Sequence, residues 1–255
     1  MCSFFGEIVF PSSRVFFDDS DDEEGAPENP RSPLEIKEQL QGSSFDAECN
    51  LLIISEGNVA RGFTDAHLIG PSVKAIARIV RSDPQISSST RRTEEASTLY
   101  QLNETTRLLD VSSSVDILLS NNLTVLLQPV LKSTKKIVVL CSRLTVDYRC
   151  DSINNLPNAF IRTLKSSSWR EPVVYRTAEQ PNFVSGFPAS VASWSETMKK
   201  PCLVAVCYSD TDRAEKTTVG PFLELFALSN LGHLVRQRAH ITYKQATRDE
   251  SNMYM

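Results

Sequence analysis

Three stretches of this chain are apolar on consecutive residues rather than alternate ones: 50–55 (NLLIIS), 136–141 (KIVVLC) and 201–208 (PCLVAVCY). A strand with one wet face alternates, because successive side chains point to opposite sides of the sheet. A strand apolar at every position has no wet face, so it belongs inside a sheet covered on both sides. The chain must then supply helices for two layers. Spacing predicts one over 71–80, behind Pro71, with Val73, Ile76, Ala77 and Val80 in phase. A second is predicted over 157–165, with Phe160, Ile161 and Leu164 on one face. A third spans 188–200, where Val191, Trp194 and Met198 align and Lys199 and Lys200 suit a helix C-terminus. A fourth spans 220–232, with Phe222, Leu223 and Phe226. Each stripe reads as core packing.

Shorter signals fill the rest. The N-terminal SFFGEIVF (3–10), STLYQL and VDILL read as strands, and NLTVLLQPVLKS (122–133) as a helix kinked or ended by Pro129. Alternating strands and helices predict an α/β domain of three layers. Its central sheet is mostly parallel or mixed, with helices on both faces, in one domain over 1–255.

Residues 11–33 interrupt this pattern. Asp18, Asp19, Asp21, Asp22, Glu23, Glu24 and Glu28 crowd into an acidic run with Pro27, Pro30 and Pro33 around it. Like charges and prolines bury too little apolar surface to fold, so 11–33 is expected to be an acidic disordered loop. It is either a plain solvated insertion or a regulatory one, with Ser20 in a setting suited to phosphorylation. Leaving out its seven acidic charges turns the formal net charge from −4 to +3. The remainder is nearly balanced and has no basic stripe for nucleic acid. Nothing approaches the ~20 apolar residues of a membrane span. The apolar N-terminus has no basic residue before it and is broken by Glu7, so it is a poor signal peptide.

Six cysteines, Cys2, Cys49, Cys141, Cys150, Cys202 and Cys207, include no C-x-x-C pair. Reduced, mostly buried thiols are expected. Cys202 and Cys207 are five apart and point to opposite faces of one strand, so they cannot share an ion. The compartment expected is the cytoplasm, with the nucleus as a second.

Catalytic signatures are missing. The chain has no G-x-G-x-x-G, no phosphate-binding G-x-x-x-x-G-K-[ST] and no G-x-S-x-G. Its histidines, His67, His233 and His240, are not at ligand spacing. His67 follows a central strand and could form an acid–base pair with Asp65, or could be an ordinary loop or helix-start histidine. Asp210 and Asp212 could hold a metal, or could form a turn. No catalytic residue, metal or cofactor is assigned.

Several segments in order resemble the proteasome assembly chaperone 1 family. They are Phe4-Phe5-Gly6-Glu7 with the acidic insertion after it, Cys141 and Asp147-Tyr148, Leu156-Pro157, Phe160-Ile161-Arg162 and Leu164-Lys165. They continue through Glu179-Gln180-Pro181-Asn182-Phe183-Val184, Pro188-Ala189, Lys200-Pro201, Cys207-Tyr208-Ser209-Asp210 and Phe222 to the final Ser251-Asn252 and Met253-Tyr254-Met255. The resemblance is dense over 137–226 and at both ends, and faint over 40–130. It implies a fold like that of nucleoside phosphorylases without a required catalytic set. It further implies a non-enzymatic chaperone of the 20S proteasome, paired with proteasome assembly chaperone 2, that caps the forming α-subunit ring. An enzyme of phosphorylase type and an activator of the mature 20S particle are the alternatives.

The sequence closes on SNMYM, after a polar stretch. An apolar-Tyr-X ending is either an accident of composition or a plug for a partner's pocket. The family's hydrophobic-Tyr-X (HbYX) motif falls on Met253, Tyr254 and Met255, and the resemblance implies that these three bind the α-ring. Tyr254 would supply a ring and one hydroxyl, Met253 an adaptable packing shoulder, and Met255 its carboxylate. Residues 241–255 are expected to be a flexible tail.

Overall fold

The computed structural model describes residues 34–39, 47–81, 97–113, 115, 117–150, 156–236 and 243. These all fall within one compact unit, Ser32–Met255. The expected strand at 3–10, the acidic loop 11–33 and the tail 241–255, apart from Tyr243, lie outside the described residues.

Among the described residues, eight strands form one sheet: β1 Leu34–Gln39, β2 Cys49–Glu56, β3 Lys74–Arg81, β4 Ser97–Asn103, β5 Thr106–Asp110, β6 Thr134–Leu144, β7 Ala159–Lys165 and β8 Cys202–Ser209. Their order is β1-β3-β4-β5-β2-β6-β8-β7. The centre, β5-β2-β6-β8, is parallel, and both flanks are antiparallel. The sheet is thus mixed, with a parallel heart made of the three consecutive apolar runs and β5.

Those runs are apolar throughout because their residues enter two cores in turn. Leu52, Ile54, Ile137, Val139, Cys141, Cys202, Val204 and Val206 join one core. Leu51, Ile53, Val138, Leu140, Leu203, Ala205 and Cys207 join the other. Cys202 and Cys207 do face opposite sides. The first core is closed by α2 Ser120–Leu126, α3 Gln128–Ser133 and α4 Phe187–Thr197. The second is closed by α1 Asn58–His67 and α5 Lys216–Leu228. Helices on both faces of a mixed sheet give the expected three layers. Pro129 stands in the first turn of α3, so the expected break in 122–133 is a join between two short helices. Helix α5 starts with a reciprocal cap, in which Glu215 N–H donates to Thr218 Oγ1 at 2.9 Å.

Two expected helices are strands. The stretch 71–80 is a turn leading into β3, whose pairing with β4 shifts register between Ala75 and Ala77. That irregularity buries the neighbours Ile76 and Ala77 together with Ile79, and so imitates helical spacing. The stretch 157–165 is β7, in which Phe160 and Ile161 enter opposite cores rather than sharing a face. VDILL is not a strand either: Ile117–Leu119 form a turn leading into α2, with Ile117 and Leu118 exposed and Leu119 buried.

Candidate functional site

In open α/β sheets, ligands bind beyond the C-terminal ends of the parallel strands. Here that end is a polar cluster. β2 and β5 finish side by side with Ser55 opposite Asp110, and β6 brings Cys141 opposite Glu56. Ser55 Oγ donates to Asp110 Oδ1 at 2.9 Å, and Arg61 Nε, from α1, donates to the same oxygen at 3.2 Å. Arg143 Nη1 donates to Glu56 Oε2 at 2.7 Å. Burial raises the Asp110 pKa above the usual carboxylate value, while Arg61 and Ser55 pull the other way. Each arginine faces a carboxylate, so the cluster is braced internally.

Gly57 links β2 to α1 with φ 88°. A Cβ there would lie 2.4 Å from Ser142 Oγ, so both backbone and space exclude a side chain. Just beyond, Asn58 Nδ2 donates to Asp212 Oδ2 at 2.6 Å. Asp210–Arg213 form bends, with both aspartates exposed, which is the turn reading of these residues. Among the described residues no group of three or more His, Cys, Asp or Glu is placed to hold a metal.

Asp65 and His67 are not brought together as a pair. They sit two apart on α1, about 200° around the helix, so they do not face each other. His67 ends α1, is 3% exposed, and has its Nε2 3.3 Å from Tyr243 Oη. It is a buried histidine at a helix C-terminus, neither in a loop nor at a helix start.

The segments that carry the family resemblance converge in space. Tyr148 Oη donates to Glu179 Oε2 at 2.6 Å, and Arg162 Nε donates to Tyr148 Oη at 3.0 Å and to Glu179 Oε2 at 3.2 Å. The Arg162 guanidinium lies over the Tyr148 and Phe160 rings, 5.2 and 4.8 Å from their centroids. Tyr148, Phe160 and Tyr208 pack together with centroids 4.9 to 5.5 Å apart. Asn182 accepts from Arg149 N–H at 2.7 Å and donates to Arg149 O at 2.8 Å. Four chain segments, 148–149, 160–162, 179–182 and 208, are thereby tied at the β7 edge. The Tyr148 hydrogen bond lowers the Glu179 pKa below the usual carboxylate value. The clamped loop carries Phe183 at 80% exposure, and Val146, two residues before Tyr148 in the chain, is 79% exposed. Glu179, Asn182, Tyr148 and Arg162 stand in three of the segments that carry the family resemblance. Their partnership had no signal in spacing, because they lie up to 34 residues apart in the chain. The Arg61–Asp110 and Arg143–Glu56 pairs were missed for the same reason.

The described cysteines, Cys49, Cys141, Cys150, Cys202 and Cys207, are free, and only Cys150 is exposed. Burial pushes the Cys141 and Cys207 thiols up to about 12 and Cys202 up to about 11. They behave as small apolar groups, not nucleophiles. No helix among the described residues is long and apolar enough to cross a membrane. Met253, Tyr254 and Met255 lie outside the described residues.

A family model described as proteasome assembly chaperone 4 matches residues 1–255. A protein of Callithrix jacchus named proteasome assembly chaperone 1 is 32% identical over 129 residues, covering 48% of this chain and 45% of that protein. In that pairing the chain spans less than half the relative's length. A protein of the same name from Nematostella vectensis is 25% identical over 241 residues, covering 85% of this chain and 90% of that protein. Among solved structures, Pyrococcus furiosus PbaA is described as an archaeal homolog of proteasome-assembly chaperone. It superposes with a TM-score of 0.50 at 10% identity, over 76% of this chain and 80% of its own. At that identity the likeness concerns the fold.

Proposed function

The chain belongs to the proteasome assembly chaperone family, and from that premise we propose that it is a non-enzymatic chaperone for assembly of the 20S proteasome. It acts as a heterodimer with proteasome assembly chaperone 2, caps the outer face of the forming α-subunit ring and keeps rings from associating wrongly. The observation that carries this reading is the family match along the whole of 1–255.

Docking runs partly through Met253, Tyr254 and Met255. The Tyr254 ring fills a narrow pocket between neighbouring α subunits and its hydroxyl makes one hydrogen bond. The Met255 carboxylate makes a charge-assisted bond with a lysine or with backbone donors. Met253 packs on the pocket wall. A short peptide of this kind loses entropy on binding and is weak alone; tethered to a docked body it gains a high effective concentration. The cap is then firm and still releasable.

The phosphorylase-like alternative has lost its best acid–base pair, since Asp65 and His67 point apart on α1 and His67 is engaged by Tyr243. Cytoplasm, with the nucleus as a second compartment, fits the free thiols.

The test is retention of α subunits by the intact chain, by Tyr254→Ala and by a chain lacking Met253 to Met255. Both variants are expected to fold, to keep the heterodimer and to lose most α-subunit binding. Equal retention by the truncated chain would sink the docking reading. Stimulated peptide hydrolysis by finished 20S particles would favour an activator instead.

A further inference from the structure

His67, buried at the end of α1, has no part in the proposed function. Its main-chain carbonyl, at the end of α1, accepts the Arg236 N–H at 2.9 Å. Its ring faces Tyr243, with centroids 6.1 Å apart and Nε2 3.3 Å from the Tyr243 hydroxyl. Three residues on, Gly70 leaves room for Arg236: a Cβ there would lie 1.4 Å from Arg236 Nη1. The guanidinium occupies the place of a side chain, and its charge suits a helix C-terminus. Leu234, Val235 and Tyr243 pack partly buried against the second core.

We propose that the C-terminal end of α1 is a mooring site for the C-terminal segment. His67, Gly70, Arg236 and Tyr243 are positioning residues that fix where the docking tail leaves the body. The inference rests on the docking reading above. With Tyr243 held, the tether to a ring pocket is 12 residues, Lys244 to Met255; with it released, Arg236 is the last residue held and the tether grows to 19. Effective concentration falls roughly as the −3/2 power of tether length, so release costs about twofold in ring affinity.

The experiment compares the intact chain with Tyr243→Ala, Gly70→Leu, a chain lacking Met253 to Met255, and Tyr243→Ala carrying a deletion of 244–252. Trypsin cleavage after Arg236 and affinity for α-subunit rings are measured for each. Tyr243→Ala and Gly70→Leu are expected to be cut about tenfold faster and to bind about twofold more weakly, with the rest of the fold intact. The shortened Tyr243→Ala chain regains the affinity while staying open to trypsin, which a merely structural role would not produce. Unchanged cleavage in both single variants overturns the mooring. Unchanged affinity in them, when loss of Met253 to Met255 abolishes binding, overturns its positioning role and leaves the docking reading standing. If loss of Met253 to Met255 leaves affinity unchanged, both fall together.

Discussion

Single residues carry the most direct consequences. Tyr148 is the hub of the clamp, because its hydroxyl both donates to Glu179 and accepts from Arg162. Tyr148→Phe keeps the ring packing and removes these bonds, and should cost about 1 kcal/mol at pH 7 in urea unfolding. The effect has a pH signature. Glu179 titrates below its ordinary value in the folded chain, so its contribution is full above the unfolded value of about 4.3. It is lost as pH falls through the folded value. The gap between wild type and variant should therefore shrink at pH 3, and a gap independent of pH would mean that Glu179 is not part of the clamp's stability. Gly57→Ala places a Cβ against Ser142 at positive φ and should cost about 1–3 kcal/mol, read as a shift in the urea midpoint. Brief iodoacetamide treatment of the folded chain should label Cys150 and spare Cys141, Cys202 and Cys207, checked by peptide mass spectrometry. At this scale, identities of motif residues were readable in the sequence and their partners were not, since a hydrogen bond between distant segments leaves no periodic trace.

At the scale of elements, legibility followed burial. The three fully apolar runs could be read as central strands because two cores demand apolar side chains at every position. Helices α4 and α5 were readable from one-sided stripes and Pro188, although Met198, expected in the α4 stripe, lies past the end of α4 and is exposed. β3 and β7 were misread because a register shift in one and burial on both faces of the other erase the period of two. Helix α1 went unseen: glycine and charge break up its apolar stripe, although Val59, Ala60 and Phe63 are fully buried. Depth rather than residue type should then set mutational cost. Phe222→Ala, in the second core, is expected to lose about 3–5 kcal/mol, and Phe183→Ala, 80% exposed, to stay within about 0.5 kcal/mol. Equal losses measured by thermal or urea unfolding would contradict this placement of the two rings.

For the whole molecule, the sheet and its two helical layers form a braced platform whose arginines at the strand ends are matched by carboxylates. The family supplies the setting in which such a platform acts, and at the end of α1 the His67 carbonyl accepts the Arg236 N–H. The central claim, a role in 20S proteasome assembly, concerns partners rather than chemistry. The most direct measurement is gentle affinity purification of the intact chain from cells that express it, followed by mass spectrometry. The account predicts recovery of 20S α subunits together with a second, related chaperone, and not of finished core particles. Recovery of neither, or of mature 20S particles alone, would contradict it.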